Sequence, residues 1–266
     1  MNKSVILITG ASAGIGRECA RHLSSAGWDV IGASRRGTSD GSWRGIQMDV
    51  DDDDSVERAF EQVNAEHGEL RAVLACAGWG LAGPAERTSI EDAKAQFNTN
   101  FWGVVRVVNA ALPRLRERGG GHVILMSSLG GLLGIPYQAF YSASKFALEG
   151  YAESLAYEVA PFNIQVTLVE PGNFKTDFTN ARKKVEFTED DPYWAACEKA
   201  IAVMERDEMN GADPLGVATA IEKILKSTNP PRRVSVGKFD ERMGIMGKRL
   251  LPFRVFERAA QRSLGL

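Results

Sequence analysis

The sequence predicts an α/β fold: a doubly wound parallel sheet of about seven strands, formed by a single domain over residues 1–266. Two observations predict it. Short apolar segments of strand length alternate with longer segments of helical periodicity, which is the pattern of parallel sheets with crossover helices. The chain, in which 44% of the residues are hydrophobic, is also long enough to bury one large core.

Composition argues against several classes of protein. The formal net charge of −2 gives no field that would attract nucleic acid. No apolar run approaches the ~20 residues that span a bilayer, and the first residues lack the pattern of a cleavable signal. Three widely spaced cysteines indicate a reducing compartment, for which we expect the cytoplasm, and three histidines lack metal-ligand spacing. These residues are Cys19, Cys76, Cys197, His22, His67 and His122.

Residues 4–9 form an apolar run that predicts a first strand buried on both faces. A glycine-rich turn follows at residues 9–16, and a helical pattern then continues to about Gly27. In Rossmann-type folds a strand, a glycine turn and a helix N-terminus bind the pyrophosphate of a dinucleotide, because backbone N–H groups face the phosphates. Glycines also serve ordinary turns, and the spacing G-x-x-x-G-x-G departs from the usual G-x-G-x-x-G, but the place after the first strand favours a dinucleotide. The candidate contacts are Gly10, Ser12, Ala13, Gly14, Ile15 and Gly16.

The second predicted strand, residues 29–33, ends in Ser34 and Arg35. A carboxylate at this place holds the ribose 2′-hydroxyl of NAD, whereas an arginine accommodates the 2′-phosphate of NADP. Ser34 stands where the acid would be, and Arg35 follows it. We therefore expect NADP(H) to be preferred, with NAD(H) as the open alternative. A solvated basic turn is the purely structural interpretation.

The third predicted strand, residues 45–48, leads into Asp49 and Val50. We expect Asp49 to contact the adenine ring of the cofactor, with Val50 as a further contact. The acidic run at residues 51–54 resembles a calcium loop only superficially, because it lacks the glycine of such loops. At the start of a helix predicted for residues 53–67, these carboxylates stabilise the helix dipole, and we expect no metal.

The fourth predicted strand, residues 70–76, is closed by Ala77 and Gly78. Helix signals then run from residue 89 to residue 118, with Asn100 in the middle of them, close to a glycine. A polar residue at such a place predicts a local irregularity of the helix. The alternative is an ordinary amide on the helix surface.

A hydroxyl, a phenol and an ammonium follow the fifth predicted strand, residues 122–126. Ser128 ends that strand, and Tyr141 and Lys145 stand four residues apart at the start of a helical pattern, so that they share one helix face. Such a trio transfers a proton to or from a carbonyl or alcohol oxygen. A free phenol has a pKa of about 10, and we expect the ammonium to lower the pKa of Tyr141 toward neutrality. A Tyr–Lys pair also occurs on many helices without a catalytic role.

The C-terminal part continues the alternation. A helix is predicted for residues 141–160, a strand for 165–169, a helix for 213–227 and a last strand for 233–236. Residues 173–211 show no strand signal and mix charged residues with aromatic ones, which suits a mobile lid over an apolar ligand. An amphipathic, basic extension follows at about residues 239–266. We expect it to pack on its own domain or on a partner subunit; peripheral contact with a membrane surface is the less favoured alternative.

Taken together, these motifs resemble the short-chain dehydrogenase/reductase family in its classical form. The resemblance covers residues 5–176. The glycine turn is similar to the family's cofactor-binding turn, Tyr141 and Lys145 match its catalytic pair, and Ser128 stands where its catalytic serine belongs. Asn100 matches the fourth catalytic residue, which helps to hold a water in a proton relay. The segment after the sixth strand resembles the nicotinamide-contacting segment, with Thr176 at the carboxamide. The cofactor contacts that the resemblance adds are Ala77, Gly78, Tyr141, Lys145, Pro171, Gly172, Phe174 and Thr176.

The resemblance implies hydride transfer between the nicotinamide and a carbonyl carbon, with Tyr141 as the proton donor. Lys145 lowers the pKa of Tyr141 and holds the nicotinamide ribose, Ser128 orients the carbonyl, and Asn100 connects the relay to solvent. One departure concerns the end of the fourth strand, where the family often has Asn-Asn-Ala-Gly. The sequence there is Ala75-Cys76-Ala77-Gly78, which puts the local hydrogen bonding in doubt.

The expected substrate is a bulky lipophilic ketone or alcohol, steroid-, retinoid- or lipid-like rather than a sugar, because the residues expected around the pocket are apolar. Packing of the loops is the structural alternative for each of these residues. Family members commonly form homodimers or homotetramers, which the resemblance implies here through the helices of residues 91–118 and 141–160. Ser128 and Tyr141, with Trp79 and Phe178, are the expected substrate contacts. The remaining residues expected around the pocket are Leu129, Leu132, Leu133, Ile135 and Phe174.

Two other classes of function share this fold. A non-catalytic NADP-binding regulator typically loses the tyrosine or the lysine, and this chain keeps both. A lyase or dehalogenase lets an anion occupy the nicotinamide site, and the intact glycine turn argues against it.

Overall fold

A computed structural model describes residues 4–66, 69–263 and 265 of the chain. Seven parallel strands form one sheet, and two shorter segments form a separate parallel pair. The strands are β1 (Val5–Thr9), β2 (Asp29–Ser34), β3 (Arg44–Gln47), β4 (Leu70–Ala75), β5 (Leu81–Ala82), β6 (Gly121–Met126), β7 (Ile164–Pro171), β8 (Lys183–Lys184) and β9 (Arg233–Val236). The order in the sheet is β3-β2-β1-β4-β6-β7-β9, which confirms the predicted doubly wound Rossmann-type architecture.

Helices cover both faces of the sheet. They are α1 (Gly14–Ser25), α2 (Asp53–Glu66), α3 (Ile90–Phe97), α4 (Val104–Glu117), α5 (Ala139–Val159), α6 (Phe178–Ala181), α7 (Trp194–Met209), α8 (Leu215–Lys226), α9 (Phe239–Leu250) and α10 (Phe253–Ser263). On one face α2, α4 and α5 pack against the strands, and on the other face α1 and α8 do so. Phe60 of α2 is fully buried in this core, a burial that contributes roughly 1.5–3 kcal/mol.

The parallel register places the carboxyl ends of the central strands at one edge of the sheet. Thr9 pairs with Ala33, and Met126 pairs with Val169. The residues that follow these strands therefore meet in one cleft, which is where open α/β sheets bind ligands. The glycine turn, Ser34, Ser128 and the segment after Pro171 all lie at this edge.

The long helix predicted from residue 89 to residue 118 is present but interrupted. Ser89 caps α3 by accepting a hydrogen bond from the backbone N–H of Asp92 at 3.0 Å. Residues Asn98–Gly103 then form a π-helical segment before α4 continues to Glu117. The irregularity expected at Asn100 is confirmed, and the alternative of a surface amide is wrong because Asn100 is fully buried.

The segment expected to be a strand-free lid has more regular structure than predicted. It contains α6, the short strand β8, which pairs with β5, and the sixteen-residue helix α7. The helical signal of α7 was present in the sequence, since its buried residues recur at i, i+3, i+4 and i+7. These residues are Cys197, Ala200, Ile201 and Met204.

The C-terminal extension consists of two helices that differ in their packing. Ile245 of α9 is buried, and Lys248 donates a hydrogen bond to the carbonyl oxygen of Leu132. By contrast, α10 contacts α9 and buries none of its residues. The expected packing onto the domain is therefore found for α9 and not for α10. The predicted helix end at His67 and the last predicted helical residue, Leu266, lie outside the described residues.

No helix in the described part of the chain is long and apolar enough to cross a membrane.

Candidate active site

The glycine turn between β1 and α1 has the close packing that a dinucleotide cradle needs. Gly10 and Gly14 adopt positive φ angles of 70° and 53°, which L side chains rarely adopt. A Cβ at Gly10 would lie 2.9 Å from the Cα of Ala77, and a Cβ at Gly16 would overlap the carbonyl oxygen of Gly10. These three positions therefore require glycine.

The N-terminus of helix α1 lies beside this turn. Ala13 is the N-cap of α1 in extended conformation, and no side chain of the described residues caps the helix, whose first backbone N–H groups have no partner within the helix. Ser12 lies half-buried beside it, and Ile15 is partly buried against the core. Thr176 faces the turn from the opposite side of the cleft, since a Cβ at Gly14 would lie 3.5 Å from the Cβ of Thr176.

The ends of β2 and β3 form the other half of the cradle. The Ser34 hydroxyl is buried without a hydrogen-bond partner among the described residues, while Arg35 next to it is exposed. Burial raises the pKa of Asp51, against a hydrogen bond from Thr99 and the attraction of nearby arginines, one of which is Arg35. The orphaned hydroxyl of Ser34 fits a ligand oxygen.

Asp49 and Val50 lie in the loop after β3, and their contacts fix its conformation. The Asp49 carboxylate accepts a hydrogen bond from the backbone N–H of Asp51 at 3.1 Å. Val50 is buried against the π-helical segment, where a Cβ at Gly103 would lie 2.9 Å from a Val50 methyl carbon. The glycine three residues after Asn100 is therefore explained by this close approach.

The residues present fit a dinucleotide. A cradle that side chains would fill, an uncapped helix N-terminus and an orphaned buried hydroxyl lie along one sheet edge. Backbone N–H groups at such a helix end suit phosphates, and an arginine suits a phosphate on the ribose.

At the end of β4, where the family often has Asn-Asn-Ala-Gly, a side chain of the neighbouring strand β1 supplies the local hydrogen bonds. The side-chain oxygen of Thr9 accepts hydrogen bonds from the backbone N–H groups of Cys76 and Ala77, at 3.0 and 3.1 Å. Thr9 thus supplies a hydrogen bond to this strand end, and the doubt raised by the missing asparagines is removed. The sequence showed no signal for this role of Thr9.

Asn100 is fixed by three hydrogen bonds inside the protein. Its amide accepts from the backbone N–H of Trp79 at 3.1 Å, and it donates to the Trp79 carbonyl and to the Ser144 hydroxyl, at 3.0 and 3.3 Å. A Cβ at Gly78 would lie 3.1 Å from Asn100 Oδ1 and 3.8 Å from Lys145 Nζ. The amide of Asn100 and the ammonium of Lys145 therefore face each other across Gly78.

Ser128 and Tyr141 meet at the carboxyl end of β6. The Ser128 hydroxyl accepts from the backbone N–H of Gly130 at 3.0 Å and lies 3.5 Å from the carbonyl oxygen of Pro171. Tyr141 is buried, and its ring centroid lies 5.9 Å from that of Phe178. A Cβ at Gly130 would lie 3.2 Å from Cε1 of Tyr141 and 3.4 Å from Oγ of Ser128. The predicted trio is therefore brought together, with Phe178 beside it.

Lys145 is a buried ammonium that does not act on the phenol as expected. Its Nζ donates to the carbonyl oxygen of Met126 at 2.9 Å and lies 5.9 Å from the centroid of the Tyr141 ring. Burial raises the pKa of Tyr141, and the side chains that shift it further are Ser128, Glu208 and Arg182, not Lys145. The expectation that Lys145 lowers the pKa of Tyr141 toward neutrality is therefore wrong. Burial lowers the pKa of Lys145 to about 8.

Not all apolar residues expected around the pocket lie there. Phe174 is buried in the core between α1 and α8, so its expected place at the pocket is wrong. Trp79 is half-buried, and its indole N–H donates to Thr99 at 3.0 Å. The sequence shows that Phe174 is large and apolar, but not which way its side chain points. A β-bridge between the backbones of Phe174 and Ala212 sets that direction.

Three charged residues near the cleft were not singled out from the sequence. Glu241 of α9 accepts a hydrogen bond from the backbone N–H of Asn173 at 3.1 Å and would overlap a Cβ at Gly172, so that it fixes the segment after β7. Arg182 and Glu208 form an ion pair in the lid, and both influence the pKa of Tyr141. Their pairing spans 26 positions, for which a single sequence has no local signal.

Comparisons with known proteins agree with this geometry. The sequence model described as short chain dehydrogenase matches residues 4–186. The chain is 42% identical over 261 residues to a 3-ketodihydrosphingosine reductase of Bacteroides thetaiotaomicron, covering 97% of each chain. It is 35% identical over 256 residues to human retinol dehydrogenase 8, covering 86% of this chain and 79% of that one. A short-chain dehydrogenase structure from Streptomyces avermitilis superposes with a TM-score of 0.83, at 32% identity and 98% coverage of both chains. The chain therefore belongs to the short-chain dehydrogenase/reductase family of oxidoreductases.

Proposed function

We propose that this protein is an NADP(H)-dependent reductase that converts a lipophilic ketone into the secondary alcohol. The observation that carries this proposal is the convergence of Ser128, Tyr141 and Lys145 beside the glycine turn, at one sheet edge. The fully buried Asn100 completes the group.

The proposed chemistry divides between the cofactor and the chain. A bound reduced nicotinamide supplies the hydride that the carbonyl carbon accepts. Tyr141 donates its phenolic proton to the carbonyl oxygen, and its raised pKa keeps it protonated at neutral pH. Ser128 hydrogen-bonds to the same oxygen and orients it. One ketone, one hydride and one proton give one alcohol, and Tyr141 must then be reprotonated.

The chain contains a route for that proton. Lys145 carries exchangeable protons, and Asn100 faces it across Gly78, a residue that is itself exposed. We propose that this arrangement reprotonates Tyr141 from solvent through Lys145.

The preference for NADP(H) rests on Ser34 and Arg35. β2 ends in Ser34 and not in a carboxylate, and the exposed guanidinium of Arg35 next to it suits a phosphate on the ribose. A neutral, buried hydroxyl at Ser34 does not repel that phosphate.

The proposed substrate is a long-chain ketone of the sphingoid type. Apolar side chains lie beside the reacting phenol: Phe178 contacts its ring, and a Cβ at Gly130 would lie 3.0 Å from Ile135 and 3.2 Å from the Tyr141 ring. Two relatives that span most of this chain act, by their names, on 3-ketodihydrosphingosine and on retinol, both lipophilic. We propose 3-ketodihydrosphingosine as the first substrate to test.

We also propose a homodimer or homotetramer formed through α4 and α5. Tyr157 on α5 and Trp102 before α4 are exposed aromatic residues that suit such an interface. The cytoplasmic location and a membrane role of the C-terminal extension stay predictions.

The test of the proposal is NADPH consumption with a panel of ketones. We expect turnover with 3-ketodihydrosphingosine and with long-chain ketones, and none with sugar ketones. NADH should give a lower kcat/KM, and Arg35→Ala should weaken NADPH about tenfold or more while changing NADH little. No turnover with any ketone would refute the proposal, and an unchanged NADPH/NADH ratio in Arg35→Ala would refute the role of Arg35.

A further inference from the structure

Arg182, in the lid, is a buried arginine with unused hydrogen-bond donors. Its side chain is 0% exposed, and its Nη2 donates to Oε1 of Glu208. Nε and Nη1 have no hydrogen-bond partner among the described residues. Buried donors of a guanidinium are costly to leave unpaired. The two free donors therefore indicate an acceptor that the described side chains do not supply.

These donors lie one aromatic ring away from the reacting phenol. The guanidinium carbon of Arg182 is 5.7 Å from the centroid of the Phe178 ring, which in turn is 5.9 Å from the centroid of the Tyr141 ring. A Cβ at Gly80 would lie 3.7 Å from Nε of Arg182 and 3.0 Å from the Phe178 ring. The Phe178 ring therefore neighbours both the guanidinium of Arg182 and the phenol ring of Tyr141.

The orientation of Arg182 is fixed by its surroundings. Oε2 of Glu208 accepts a hydrogen bond from the Thr179 hydroxyl at 2.7 Å, so the carboxylate is anchored at both oxygens. Arg182 itself lies between α6 and β8, and β8 is paired with β5. A guanidinium held at such a carboxylate keeps its remaining N–H groups in place before a ligand arrives.

The charge of the pair selects the kind of acceptor. Glu208 balances the positive charge of Arg182, so the pair as a whole attracts an anion weakly, and the carboxylate repels one at short range. A hydroxyl suits the pair better, because it accepts from a guanidinium N–H and also donates to a carboxylate oxygen.

We propose that Arg182 and Glu208 bind a hydroxyl group of the substrate close to its ketone, and that Arg182 is a specificity-determining residue. The inference rests on the proposed function and narrows the substrate class to hydroxyketones with an apolar tail. A site built to bind a hydroxyl rejects the analogue that lacks it, because its polar groups are then left unpaired.

The test compares two ketones that differ by one hydroxyl, 3-ketodihydrosphingosine and its 1-deoxy analogue. For the wild-type enzyme we expect kcat/KM with NADPH to be at least tenfold higher for the hydroxylated ketone. In Arg182→Met this ratio should fall about tenfold or more, because the guanidinium donors are gone. Arg206→Met is the control, since Arg206 is an exposed arginine on the nearby helix α7 that pairs with its neighbour Asp207. It should keep the wild-type ratio.

The ratio of two substrates does not depend on how much enzyme is folded. If Arg182→Met does not fold, Arg182→Met combined with Glu208→Gln, which removes the unpaired carboxylate, supplies the same comparison. A wild-type ratio near one, or an unchanged ratio in the variants, overturns the inference while the proposed function stands. A preference for an analogue bearing a carboxylate in place of the hydroxyl also overturns it. Absence of turnover with every ketone refutes both proposals.

Discussion

Lys145 carries its ammonium group inside the protein, and burial lowers the pKa of that group to about 8 from an ordinary value near 10.5. The carbonyl oxygen of Met126 accepts one of its hydrogen bonds, and Asn100 lies across Gly78 from it. A lysine in this state loses its proton within the range of ordinary assays. Tyr141 has the opposite behaviour, because burial raises its pKa and keeps it protonated.

We therefore predict that reduction becomes slower above pH 8. As the pH rises through the pKa of about 8, Lys145 loses the proton with which it resupplies Tyr141, while the phenol itself stays protonated. The profile of kcat/KM for NADPH-dependent reduction should be level from about pH 6 to pH 7.5 and then fall about tenfold per pH unit at high pH.

A level profile up to pH 9.5 would contradict this assignment. Lys145→Arg is the matched variant, because arginine stays protonated throughout that range. Any residual activity of Lys145→Arg should lack the fall above pH 8. A fall that persists in it belongs to another group.

At the scale of secondary-structure elements, the turn between β1 and α1 is fixed by backbone contacts. A Cβ at Gly16 would overlap the carbonyl oxygen of Gly10, which cannot move without disturbing the turn. We predict that Gly16→Ala loses about 1–3 kcal/mol of unfolding free energy and binds NADPH more weakly. Chemical denaturation and cofactor titration measure both effects.

Gly216→Ala is the control for this prediction. Gly216 is an exposed residue of α8, and a Cβ added there meets nothing within 4 Å. Within a helix the change should stabilise the protein by up to about 1 kcal/mol and leave NADPH binding unchanged. Equal stability and affinity for Gly16→Ala and the wild type would contradict the account of the turn.

Most elements were predictable because their signals are local. The strands of the sheet and the helices between them differ from the predicted bounds by a few residues, and β9 was predicted without error. The local irregularity predicted at Asn100 is present, and the structure shows that it is a π-helical segment. By contrast, β5 and β8 are two residues each and form only because they pair with each other, which no sequence period reveals.

The sequence also predicts which residues meet in the candidate site. Its residues follow strand ends, and parallel topology brings such residues together. The pKa of Tyr141 could not be predicted, because it depends on burial by residues distant in sequence. The ion pair between Arg182 and Glu208 could not be predicted either, because the fold of residues 173–211 brings the two side chains together.

At the scale of the whole molecule, one sheet edge unites elements from most of the chain. The glycine turn after β1, Ser128 after β6 and Thr176 after β7 all face the same cleft. Helix α9 also belongs to this arrangement, because Glu241 holds the backbone of Asn173. The glycine turn, Tyr141 and the segment after β7 therefore belong to one candidate active site.

The most direct test of this account is Tyr141→Phe, which removes one hydroxyl from the centre of the site. We predict that its kcat for ketone reduction falls by about 10²–10⁴-fold while its affinity for NADPH stays within about threefold of the wild type. Tyr157→Phe is the control, since Tyr157 lies on the same helix and the change keeps the aromatic ring that the proposed interface would use, so that full activity is expected. Wild-type turnover by Tyr141→Phe, measured as NADPH consumption, would contradict the account.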